Sequence, residues 1–101
     1  MTINKYRIGE LVVNLKLEQV GYINDISLPT YTWRSLTTGI YQVVNDNTIC
    51  KINDSRMELC SNKLKDTLAE FHSFGSNNNK ERLVGMIMGL EFAIVNFYKI
   101  Q

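Results

Sequence analysis

The hydrophobic pattern of the chain changes period once, near residue 60. Before that point apolar residues fall in short runs or alternate with polar ones, as in strands. After it they recur every three or four positions, as in helices. Leu11-Val12-Val13-Asn14, led in by residues 6–10, is a β-branched run suited to a buried strand. Val20-Gly21-Tyr22-Ile23-Asn24-Asp25-Ile26 predicts a second strand, with Gly21 either a bulge or a point where another backbone comes close. Pro29, without an N–H to donate, breaks the ladder. Residues 31–36 alternate, placing Tyr31, Trp33 and Ser35 on one face and Thr32, Arg34 and Leu36 on the other. After a turn at Thr37-Thr38-Gly39, residues 40–44 and 48–52 flank Asn45-Asp46-Asn47, which predicts a hairpin. Arg56-Met57-Glu58-Leu59 reads as a last short strand.

Ser61 or Asn62 then offers a helix cap. Leu64, Leu68 and Phe71 recur at helical spacing, and Gly75-Ser76-Asn77 ends the segment. Asn78, with Glu81 three residues on, resembles a capping box opening a second helix antiparallel to the first. That second helix dominates the chain. Residues 83–98 are apolar nearly all round a helical wheel, so most sides need cover. Leu83, Ile87, Leu90, Ile94 and Phe97 form a broad ridge for the sheet. Gly85, Gly89 and Ala93 form a flat groove on another side. Each glycine costs about 1 kcal/mol against alanine in a helix interior, so close packing within the chain or an oligomer interface should offset it. Glu91 has only Ile87 and Val95 as i−4 and i+4 neighbours, so it lies at a wet edge or accepts from Arg34, Arg56 or Tyr98.

The fold class is therefore α+β: a single domain, with an antiparallel sheet or small barrel of five to six short strands in residues 1–60 and a C-terminal antiparallel helical pair in 61–101. Over residues 6–59 the segments Gly9-Glu10-Leu11-Val12, Val20-Gly21-Tyr22-Ile23, Tyr41-Gln42-Val43-Val44-Asn45-Asp46 and Ile49-Cys50-Lys51-Ile52 resemble SH3-like small barrels. Pro29 and the 31–36 strand depart from a compact five-strand barrel and leave an open curved sheet as the alternative. In layout alone, strands followed by two helices resemble phage anti-defence proteins that sponge up nucleotide-derived immune signals. That resemblance implies ligand pockets at the subunit contacts of a homo-oligomer and transfers no site residues.

Composition narrows the partners. The 101 residues carry a net charge of +1, so no whole-molecule field draws the chain to nucleic acid or membrane. No charged-then-apolar leader is read at the N-terminus, and the 83–98 run is short for a bilayer and contains Glu91 and Asn96. A cytoplasmic protein is expected, in the host cytoplasm if phage-encoded; plentiful Asn, Ile and Lys with a single Pro resemble small proteins of AT-rich bacteria and their phages. Cys50, Cys60 and His72 fall short of a zinc set, so packed thiols, no metal and no cofactor are expected.

No catalytic constellation stands out around His72, and a non-enzymatic role is expected. Tyr31-Thr32-Trp33-Arg34 is the stretch suited to binding, since an indole offers a flat π-face and a guanidinium can fork onto a phosphate. The competing reading makes Trp33 core and Arg34 surface. Trp33, Arg34, Arg56 and Arg82 are the candidate ligand contacts, chosen on chemistry, with Thr37, Thr38 and the N–H groups near Gly39 as further donors. The resulting expectation is a binding protein of phage or mobile-element origin that inhibits a host defence pathway by sequestering a nucleotide-like signal. A protein–protein inhibitor or adaptor working through a sheet edge or helix face is the alternative. Nucleic-acid binding stands third, because a phosphate backbone calls for more positive charge than this chain carries.

Overall fold

A computed structural model describes residues 5–73 and 80–100. Its elements are β1 (Leu11–Asn14), β2 (Gln19–Ser27), β3 (Thr30–Ser35), β4 (Tyr41–Val44), β5 (Ile49–Lys51), α1 (Ser55–Ser73) and α2 (Lys80–Lys99). The α+β layout expected from the two hydrophobic periods is present. The strands form one antiparallel sheet in the order β4-β3-β2-β1-β5.

The expected hairpin is not formed: β4 pairs with β3 and β5 with β1, at opposite edges of the sheet. Residues 45–48 nevertheless join them in one tight turn, closed by the Thr48 N–H on the Asn45 carbonyl at 3.1 Å. A flat sheet would hold its edges about 19 Å apart, too far for that link. The sheet therefore curls until its edges approach, and Asn14 Nδ2 on β1 donates to Gln42 Oε1 on β4 at 2.6 Å. Local alternation identifies strands but not their order; tertiary pairing decides that.

Curling gives the sheet an inside and an outside. Val12, Ile23, Tyr31, Trp33, Val44 and Ile49 fill the inside together with Tyr6, whose ring meets Tyr31 edge-on at 5.2 Å. Gly21 is the close approach foreseen from its place in β2. A Cβ there would lie 2.2 Å from the Arg34 carbonyl oxygen and 2.4 Å from the Trp33 ring. On the outside, Val13, Val20 and Ile52 pack against Leu64 and Leu68 of α1 and Ile87, Ile94 and Val95 of α2. Strand alternation thus serves two cores, with Val12 turned to one and Val13 to the other.

The switch from strands to helices comes at Asp54, earlier than the period change suggests. Arg56-Met57-Glu58-Leu59 belongs to α1, not to a strand. Asp54 Oδ1 accepts the N–H groups of Arg56 at 2.9 Å and Met57 at 3.4 Å, the standard N-cap arrangement. Ser61, read as a cap, is buried inside the helix, and its hydroxyl donates to the Met57 carbonyl at 2.7 Å. The Gly75-Ser76-Asn77 stop, Phe74 and the Asn78 cap lie outside the described residues.

The helices run antiparallel: Arg56 at the start of α1 sits over the Phe97 ring, and Lys80 at the start of α2 sits over Phe71 near the end of α1. Of the ridge residues, Leu83, Ile87 and Ile94 are buried, and Leu90 and Phe97 are partly buried against the same core. The expectation that neighbours cover α2 on most sides fails within the protomer. Val84, Met88 and Phe92 are exposed at 40%, 65% and 70%. The groove residues Gly85, Gly89 and Ala93 are exposed beside them. The sheet and α1 cover the side that carries Leu83, Ile87 and Ile94, and Met88 and Phe92 stand on the side of the helix turned away from it. Among the described residues, no helix is long and apolar enough to cross a membrane.

Candidate functional site

The four proposed ligand contacts do not converge. Trp33 is wholly buried inside the curled sheet, where its Nε1–H points to the Val12 carbonyl at 3.5 Å, so its π-face is spent on the core. Arg56 pairs with Asp54 at 3.2 Å and stacks over Phe97 near the end of α2. Arg82 is exposed at the other end of that helix, about 22 Å from Phe97 along the axis. Only Arg34 stands at a concave surface.

Arg34 lies on the outside of β3, where antiparallel register sets it opposite Tyr22 on β2 and Tyr41 on β4. Its guanidinium sits 4.9 Å above the Tyr41 ring. Nε donates to the Gly39 carbonyl at 3.2 Å, and Nη1 donates to the Tyr22 hydroxyl at 3.5 Å. Gly39, at φ 75°, makes the tight turn that presents this carbonyl. The Nη2 amino group has no protein acceptor among the described residues. The hydrogen bond to the Tyr22 hydroxyl, and then the charge that the Tyr41 and Tyr22 phenols carry when ionised, hold the Arg34 pKa above its ordinary value. The head is a fixed cation.

Around it Ser35, Thr37, Thr38 and His72 complete a cleft of about 380 Å³. Among the described residues, no carboxylate lines this cleft, and Glu91 lines the hollow beside it. It adjoins a second hollow of about 290 Å³ that shares Thr37, Thr38 and His72 and continues along Leu68 and Phe71 of α1 to Val84 and Met88 of α2. The two form one groove, cationic and hydroxyl-rich at the Arg34 end and apolar at the α2 end. His72 is exposed in the last turn of α1 and borders both parts. Cys60 stands about 18 Å along the same helix from His72, so the two make no nucleophile–base pair.

Glu91 forms part of the groove floor. Its carboxylate accepts the Val20 N–H at 2.8 Å and the Thr37 hydroxyl at 3.3 Å. None of the partners anticipated for it, Arg34, Arg56 or Tyr98, is used. Burial pushes its pKa up, and the Val20 and Thr37 hydrogen bonds only partly offset that. Tyr98 instead anchors the loop before α1, its hydroxyl accepting the N–H groups of Asn53 at 3.0 Å and Asp54 at 3.2 Å. Burial also pushes the Cys50 thiol up, away from a reactive thiolate. Among the described residues, no group of three His, Cys, Asp or Glu gathers to hold a metal ion.

Sequence reasoning found Arg34, Thr37, Thr38 and Gly39 and missed Tyr22, Tyr41 and His72 as their neighbours. Aligning the alternating faces of 20–26, 31–36 and 41–44 in antiparallel register was the available signal for the two tyrosines. No protein family, curated protein or solved structure matches the chain.

Proposed function

We propose that the chain is a non-enzymatic binding protein that holds a small nucleotide-derived anion in the groove between Arg34 and His72. Its role on this reading is to sequester that molecule and so inhibit a host defence pathway, as a phage- or mobile-element-encoded protein. The observation that carries the proposal is the fixed guanidinium. Tyr41, the Gly39 carbonyl and the Tyr22 hydroxyl hold Arg34 in place, with Thr37, Thr38 and His72 lining the same cleft. The Glu91 carboxylate of the adjoining hollow is engaged by the Val20 N–H and the Thr37 hydroxyl. A fork immobilised before the ligand arrives loses little entropy on binding, and guanidinium geometry suits phosphate oxygens. The apolar end of the groove gives a ring or base a place to lie. The curled order β5-β1-β2-β3-β4 supports an SH3-like reading of the strand region. Calorimetric titration with cyclic nucleotides and ADP-ribose derivatives tests the proposal: binding of a phosphorylated member, lost in Arg34→Ala, supports it, and no heat across the panel removes it.

A second reading rests on β4. Among the described residues this edge strand pairs only with β3, and it exposes Tyr41 at 57% and Val43 at 68%. An extended segment of a host protein adding itself there would make the chain a protein inhibitor or adaptor. A stoichiometric protein partner whose capture is abolished by Val43→Pro, with nucleotide titrations flat, would favour it over the groove.

A further inference from the structure

From the exposed side of α2 we infer that the chain pairs with a second copy of itself through that helix, antiparallel, with Phe92 of each copy seated on Gly85 of the other. The inference stands on this helix face alone and holds whether or not the groove takes a nucleotide.

Phe92, Met88, Gly85 and Gly89 lie on the side of α2 turned away from the buried Leu83, Ile87 and Ile94. Phe92 and Met88 are exposed at 70% and 65%, and no charged side chain falls on this side between Arg82 and Lys99, since Glu91 turns to the sheet. The glycines leave room beside these large residues. A Cβ at Gly85 or Gly89 would meet nothing within 4 Å. They are therefore not needed for packing inside the protomer, although each costs helix stability relative to alanine.

What fits this face follows from its order. A twofold axis between residues 88 and 89 brings Phe92 opposite Gly85 and Gly85 opposite Phe92, so each ring meets a backbone notch. Met88 and Gly89 fill the centre, and Glu81 falls opposite the amide of Asn96. A parallel, in-register pairing would put Phe92 on Phe92, holding apart the backbones that Gly85 and Gly89 would otherwise let approach, and would bring Glu81 against Glu81. Large matched to small, and carboxylate matched to amide, select the antiparallel copy. Burying this face on both copies removes about 1,000 Å² from water, the threshold of a biological interface and the size of a weak, reversible pair. Met88 also walls the groove, so the partner helix would close its apolar end.

Sedimentation velocity over a concentration series tests this with three surface variants. The wild-type chain should run as a dimer. Phe92→Glu should raise the dissociation constant more than about tenfold. Gly85→Leu should do the same while raising helix stability, which separates lost association from lost folding. The double swap Gly85→Phe with Phe92→Gly restores a large residue opposite a small one and should recover the dimer. A wild-type monomer at high micromolar concentration would overturn the inference. So would a dimer that survives Phe92→Glu and Gly85→Leu, or a double swap that stays dissociated.

Discussion

The carboxylate of Glu91 on α2 accepts the backbone N–H of Val20 on β2 at 2.8 Å, across 71 positions of sequence. This bond, with the Thr37 hydroxyl on the same carboxylate, ties the long helix to the end of the β2–β3 ladder and fixes the floor of the groove. Replacing Glu91 by Leu leaves the Val20 N–H without its acceptor and should cost about 1–3 kcal/mol in urea unfolding.

The same residue sets a pH dependence. Burial raises its folded pKa above the ordinary 4.5, so the native state holds this proton more tightly than the unfolded chain. The stability it contributes is complete below 4.5 and is lost as pH rises through the raised value. The stability of wild type minus that of Glu91→Gln should therefore fall with rising pH in the span just above 4.5. A flat difference would mean that the carboxylate is as well solvated in the fold as out of it.

Gly21→Ala is expected to be among the most damaging single-methyl changes in the chain. The added carbon would lie 2.2 Å from the Arg34 carbonyl oxygen and 2.4 Å from Trp33, a backbone atom and a buried ring with no room to yield. A loss of about 3 kcal/mol, or failure to fold, is the expected result, read by thermal melting. Gly85→Ala, with open space around it, should instead be neutral or stabilising in the melting of the isolated chain.

Tyr98→Phe tests the junction between sheet and helices. The hydroxyl accepts the Asn53 and Asp54 N–H groups just before α1. Its removal should cost about 1–2 kcal/mol of unfolding free energy while leaving helix content unchanged.

Most strands were legible because their patterns are local. The 31–36 alternation placed Tyr31, Trp33 and Ser35 on one face, and that face is buried in the structure. Of the two readings open for this strand, the one with Trp33 in the core holds, and nothing near Trp33 says that Gly21 of the neighbouring strand makes room for its ring. The hairpin failed for a related reason: Asn45-Asp46-Asn47 does turn the chain, but the curl of the sheet carries β5 round to β1. Alternation in Arg56-Met57-Glu58-Leu59 imitates a strand, and the informative residue was Asp54, whose side chain caps the helix that follows. Of the site, Arg34 and the Thr37-Thr38-Gly39 turn were visible because they are contiguous. Tyr22, Tyr41 and His72 reach the same cleft only through register and helix docking. Arg56 and Arg82 were chosen by residue type, and type alone carries no position.

The binding proposal is tested most directly by isothermal titration of the nucleotide panel into three proteins: wild type, Arg34→Ala and Arg82→Ala. Arg82 is exposed on α2 and lines neither part of the groove, so its loss should leave affinity unchanged, while loss of Arg34 should weaken it by more than about tenfold. Equal weakening by both substitutions, or no binding by the wild-type chain, would contradict the assignment of the groove.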